Sequence, residues 1–175
     1  LRAHASLMRQ LATDLAMKAR LPLGDFDVLA QLALAGGELR MTELAARTNA
    51  TLPRLSRVIS GLERAGLVDR VPCPGDRRAT NAVLTEAGWA KIVQAAPGHV
   101  ASVREFVIDA LTPAQLAQLG RMSERMLTRL DPDGKVVVKR GTRTLTPAEV
   151  DALAAPQRDR SASGQVAGAV PAWLR

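Results

Sequence analysis

The sequence predicts a mainly α-helical fold with one small β-hairpin, and three observations predict it. Apolar residues recur at helical spacing through most of residues 1–130. The period is broken by two short apolar runs, 67–71 and 79–84, around a loop holding Pro72, Pro74 and Gly75. Two helical segments separated by only three residues stand directly before that hairpin. With 175 residues and 47% hydrophobic content, the chain can bury one core with length to spare. Aromatic residues are 2% and tyrosine is absent, so that core is aliphatic.

Each element has its own local cause. Over 1–20, Leu7, Leu11 and Leu15 repeat at i, i+4, i+8, with Met8 alongside, until Pro22 and Gly24 break the pattern. A second helix over 25–35 turns Phe26, Leu29, Leu32 and Ala33 inward and stops at Gly36-Gly37. Residues 39–41 can add a third strand to the hairpin. Thr42 is placed to cap a short helix over 42–48, with Leu44 and Ala45 inward, and Asn49-Ala50 is a turn. Thr51 is expected to cap the next helix, 52–65, by accepting a first-turn N–H. Pro53 is tolerated there because the first turn needs no backbone donor, and Gly66 ends the helix.

The helix over 52–65 is two-faced. Leu55, Val58, Ile59 and Leu62 share one side, and Arg54, Ser56, Arg57, Ser60 and Arg64 the other. An apolar inner face with guanidinium and hydroxyl groups outside, after a short helix and a tight turn, suits the DNA major groove. The hairpin that follows is expected to carry Asp76-Arg77-Arg78 at its tip. A guanidinium on a narrow projection suits a minor groove, with the neighbouring acid holding it extended.

After the hairpin, Thr85 caps a long helix carrying Trp89, Ile92, Val93, Val100, Val103, Phe106 and Val107, with a bend expected at Pro97-Gly98. Thr112-Pro113-x-Gln115 is a capping box, and its helix runs to Leu130 with Leu116, Leu119, Met122, Met126 and Leu130 in one stripe. Together the first and last helices present more apolar surface than a small winged domain can cover. Residues 131–134 form a turn, 136–138 a short strand and 146–155 one more helix. Beyond Pro156 the chain is rich in Arg, Ser, Gly and Ala and is expected to be mobile.

The run Leu62-Glu63…Gly66-Leu67-Val68, then Asp76-x-Arg78, then Leu84-Thr85-x-x-Gly88 resembles the MarR family of winged helix-turn-helix regulators. The resemblance covers residues 1–130. It implies a winged helix-turn-helix DNA-binding domain over 23–85 and a helical dimerisation region from 1–22 and 86–131. Residues 132–175 remain a C-terminal extension: a basic arm on the DNA backbone, a segment packed on the dimer or, by default, a dispensable tail. A homodimer on a palindromic double-stranded operator follows, with half-sites about one helical turn apart.

Carried over position by position, the resemblance puts Arg54, Ser56 and Arg57 in the major groove, with Thr51 and Pro53 at the leading end. A bidentate arginine–guanine pair discriminates bases by roughly 1–3 kcal/mol. Arg78 is the minor-groove candidate, oriented by Asp76, with Arg77 on phosphate; Arg47 and Arg70 are weaker phosphate candidates. Leu52 and Gly61 stand where the family often has long polar side chains, so operator preference does not transfer. The family also implies a cleft for a small aromatic or phenolic anion, here near Met8, Arg9, Phe26 and Trp89.

Charge agrees with this placing. The net +7 is concentrated at +4 in residues 40–78 and +4 in residues 135–175. The scarcity of aromatic rings argues against single-strand or RNA recognition. One cysteine forms no intrachain disulfide, and with no apolar run of transmembrane length the chain reads as cytoplasmic, without a membrane partner. Cys73, at the base of the wing among arginines, is weighed as an oxidant sensor but fits an incidental thiol better. His4 and His99 are far apart, so no metal or cofactor is expected, and no nucleophile–base constellation supports an enzyme. A winged helix used only for protein contacts is the reading from another class.

Overall fold

The computed structural model describes residues 2–131. The expected strand at 136–138, the helix at 146–155 and the rest of the extension lie outside them. The described chain runs α1 (Arg2–Ala19), α2 (Leu23–Leu34), β1 (Glu38–Arg40), α3 (Met41–Arg47), α4 (Leu52–Arg64), β2 (Val68–Cys73), β3 (Asp76–Leu84), α5 (Glu86–Val103), a π-helical turn (Arg104–Ile108) and α6 (Pro113–Leu130).

The core takes part of the residues that helical periodicity marked, those of α2, α3, α4 and the first half of α5 with Leu15 of α1, together with strand residues. Leu29, Leu32, Leu44, Leu55, Ile59, Leu62, Val68 and Ile92 are all buried, and they come from α2, α3, α4, β2 and α5. Each such side chain contributes about 1.5–3 kcal/mol on burial, so this aliphatic cluster holds the small domain together without aromatic bulk. The sheet is antiparallel in the order β1-β3-β2. Leu39 pairs with Ala82 and Val68 with Leu84 in register. β2 is therefore an edge strand, which is why it tolerates Pro72, beside an irregularity at Pro72/Cys73.

Several local expectations are corrected. α3 begins at Met41 with Arg40 as N-cap, because Arg40 is still paired to Asn81 and the chain passes directly from strand to helix. Thr42 is thus inside α3 and does not cap it. Thr51 does occupy the N-cap of α4, but its hydroxyl makes no cap bond; Pro53 has already removed one of the donors it could serve. The hairpin is also tighter than expected. Cys73 pairs with Asp76, so Pro74-Gly75 is the turn, with Gly75 at φ +84°, and Asp76-Arg77-Arg78 opens β3.

The junction between the hairpin and α5 is the tightest point. Thr85 donates its hydroxyl to the Gly66 carbonyl at 2.7 Å and accepts from the Gly88 N–H at 3.0 Å. A Cβ at Gly88 would lie 2.0 Å from the Leu67 carbonyl oxygen, so only glycine fits there. α5 continues through Pro97, and the departure from α geometry comes later, where the Asp109 N–H bonds the Arg104 carbonyl at 2.8 Å.

Helix α1 is held to α5 by polar bonds as well as by Leu15, which joins Ile92, Ala95 and Ala96 in the core. Ser102, 1% exposed, donates to Asp14 Oδ2 at 2.5 Å, and Lys18 lies 3.2 Å from the same oxygen. Lys91 Nζ donates to the Ala19 carbonyl at 2.7 Å and so closes the end of α1. Helix α6 opens with both halves of the expected capping box, Gln115 N–H to Thr112 Oγ1 and Thr112 N–H to Gln115 Oε1. It contains no buried residue; Leu119, Met122, Met126 and Leu130 are 44%, 54%, 56% and 81% exposed. Among the described residues, no helix is long and apolar enough to cross a membrane.

Candidate nucleic-acid interface

Helices α3 and α4 are joined by Thr48-Asn49-Ala50-Thr51, and Asn49 takes the left-handed conformation at φ +48°. Asparagine is one of the few side chains that tolerates this, so the tight turn follows from the residue. The turn lets Leu44 and Ala45 of α3 share one core with Leu55, Ile59 and Leu62 of α4. With its inner face so occupied, α4 can present only its other side.

That side carries the sequence candidates unevenly. Thr51, Leu52, Pro53, Arg54 and Arg57 are exposed along the first turns of α4. Among the described residues neither the Arg54 nor the Arg57 guanidinium has a hydrogen-bond or ion-pair partner, so both can reach a ligand without breaking a bond. Ser56 and Ser60 differ. Their hydroxyls accept from Arg70 Nη2 at 3.2 and 3.0 Å, and the Ser56 carbonyl accepts from it at 2.8 Å. These serines therefore face the hairpin and not the outer surface on which the helical spacing put them.

The remaining candidates are placed as follows. Arg47 Nη2 lies 2.8 Å from Glu43 Oε1, an i, i+4 pair within α3. Arg70 Nη1 lies 3.3 Å from Glu63 Oε2, in addition to its serine bonds. Asp76 Oδ2 lies 3.5 Å from Arg40 Nη2, which also donates to Cys73 Sγ at 3.2 Å. The backbones of Arg77 and Arg78 lie in β3, the second and third residues past the turn. Arg40 was not singled out from the sequence; it ends β1, and only the β1–β3 register brings it to the base of the hairpin.

The four residues proposed around a ligand cleft sit in different settings. Phe26 is buried and its ring lies 4.5 Å from that of His99, tilted by 47°. Trp89 packs over Gly37. Met8 is exposed on α1, and Arg9 donates to Ser6 Oγ at 3.3 Å on the same helix. His99 was not a candidate, yet its Nδ1 is buried without a partner among the described residues, and burial lowers its pKa. Among those residues there is no group of three or more metal-ligating side chains.

A two-helix unit closed by a tight turn, packed against a three-stranded sheet whose outer hairpin projects beside the second helix, is a winged helix-turn-helix. Comparison with known proteins narrows the class. A family model described as MarR family matches residues 21–79. Sco3205, a MarR family transcriptional regulator from Streptomyces coelicolor solved in complex with DNA, is 37% identical with a TM-score of 0.72, over 75% of this chain and 83% of its own. AbsC, a MarR family transcriptional regulator from the same organism, is 36% identical with a TM-score of 0.72, over 75% and 89%. The HTH-type transcriptional repressor YetL of Bacillus subtilis (strain 168) is 34% identical over 91 residues, half of this chain; the chain spans 54% of that relative's length. The chain belongs to the MarR family, a family of transcriptional regulators and not of enzymes.

Proposed function

We propose that the protein is a sequence-specific regulator of transcription that binds double-stranded DNA as a homodimer. The observation that carries this is the leading end of α4: Thr51, Pro53, Arg54 and Arg57 are exposed together, with both guanidinium groups uncommitted among the described residues. An α-helix fits the major groove, and its N-terminal residues are the ones that reach base edges. The similarity to Sco3205, which was solved on DNA, supports the same placing. In this reading Arg77 and Arg78, whose backbones lie in β3, contact a minor groove or its phosphates.

The second copy is called for by α6, whose apolar stripe is left exposed by the described residues. A symmetric pair would cover that stripe and set two α4 helices for a palindrome. The finer reading is a repressor released by a small aromatic or phenolic anion, with Met8, Arg9, Phe26 and Trp89 as its candidate contacts. It rests on the family and on the Phe26–His99 contact between α2 and α5. A ligand there shifts DNA affinity only by the difference in its own affinity for the two states.

Duplex fragments selected from genomic DNA by the purified protein test the reading. Arg57→Ala and Arg78→Ala should each weaken binding to the selected fragment at matched salt. If both bind as tightly as the parent, the roles given to α4 and the wing are wrong. Oxidant sensing is the second reading, favoured by the 3.2 Å approach of Arg40 to Cys73. It predicts that Cys73→Ser abolishes a peroxide-induced loss of binding while leaving the resting affinity intact.

A further inference from the structure

Arg70 is a cation on the edge strand of a proposed DNA-binding unit, and charge alone would put it on a phosphate. Its geometry says otherwise. One nitrogen, Nη2, is shared among the Ser56 carbonyl at 2.8 Å, the Ser60 hydroxyl at 3.0 Å and the Ser56 hydroxyl at 3.2 Å; the other, Nη1, lies 3.3 Å from Glu63. All three partner residues belong to α4, and Arg70 belongs to β2. The side chain is 30% exposed, so these are not loose surface contacts. A planar guanidinium with its fixed fork of donors can hold several acceptors in one geometry; an ammonium cannot.

We infer that Arg70 is a positioning residue that locks the hairpin to α4, so that the helix and the wing meet DNA as one rigid body at one fixed angle. The inference rests on the DNA-binding reading and deepens it. Without the lock, β2 remains paired to β3 and α4 remains seated on Leu55, Ile59 and Leu62, so the fold persists. The angle between them is then no longer set by a polar bond. Binding must order that angle, and affinity falls although no contact to DNA has been removed.

This differs measurably from a phosphate contact. Each neutralised phosphate releases counterions and steepens the fall of log Kobs with log salt, so losing one such contact shallows the slope by about 1. Arg70→Ala should retain the parent's circular dichroism spectrum and its salt slope while binding the selected fragment on the order of tenfold more weakly. Arg70→Lys should not rescue it, for want of a planar fork. The double variant Ser56→Ala/Ser60→Ala, which changes no charge, should lower affinity in the same direction with the same slope.

A shallower slope in Arg70→Ala with silent serine variants would make Arg70 a phosphate ligand and overturn the lock. Unchanged affinity in Arg70→Ala would also overturn it, while leaving DNA binding by the parent standing. A parent that binds no duplex at any salt would instead remove the functional reading, and the lock with it.

Discussion

A methyl group added at Gly88 would meet the Leu67 carbonyl oxygen at 2.0 Å, where backbone can yield little. Gly88→Ala should therefore destabilise the domain by about 1–3 kcal/mol or more, read as a lower midpoint in urea. His99 makes a second prediction at this scale. Its ring packs on Phe26 with Nδ1 buried and unpartnered among the described residues, and burial lowers its pKa below 6.5. The unfolded chain takes up a proton near 6.5 while the folded one resists it, so stability falls as pH drops below that value. His99→Phe should flatten this fall, and melting temperature against pH for both proteins checks it. Neither feature was equally legible. Gly88 stood out by its spacing from Leu84-Thr85, whereas nothing local to His99 announced a ring 73 residues away in sequence.

Helices α1 and α5 meet through a bond that the apolar periodicity of either could not show. The Ser102 hydroxyl holds the Asp14 carboxylate below its ordinary value of 3.8, and Lys18 adds to this against the opposing effect of burial. The contribution is therefore present above 3.8 and lost as pH falls through the lowered value. Ser102→Val should lower the melting temperature at neutral pH and reduce the acid sensitivity of the α1–α5 contact; amide hydrogen exchange in α1 reads both. Helix and strand existence was legible because it depends on periodicity and capping groups within a few residues. The hairpin was the exception: two prolines and a glycine pointed to a longer loop, but the edge position of β2 absorbs Pro72 and leaves Pro74-Gly75 to turn alone. The outward serines of α4 were misplaced for a related reason. Helical spacing separates two faces, but only the packing of β2 decides which flank of the polar face is covered.

For the whole molecule, the α6 surface that the described residues leave exposed makes the strongest demand. Leu119, Met122 and Met126 stand exposed on a helix with no buried residue. Met122→Glu together with Met126→Glu should put charge into the proposed two-fold interface and give a monomer in sedimentation. The same variant should lose most of its affinity for the selected DNA, since only one half-site can then be held at a time. The family and the fold were legible from short motifs in order along residues 62–88, because those motifs encode the helix end, the turn and the next cap. How α4 and the hairpin are fixed to each other was not, since it depends on Arg70 meeting residues 7–14 positions earlier across a turn.

Hydroxyl-radical footprinting of the parent protein on its selected fragment tests the central claim most directly, that paired chains each place α4 in one major groove. The expected pattern is two protected half-sites related by a two-fold axis, their centres about 10–10.5 base pairs or a multiple apart. A single unpaired footprint, or uniform cleavage at salt low enough to favour any cationic surface, would contradict it.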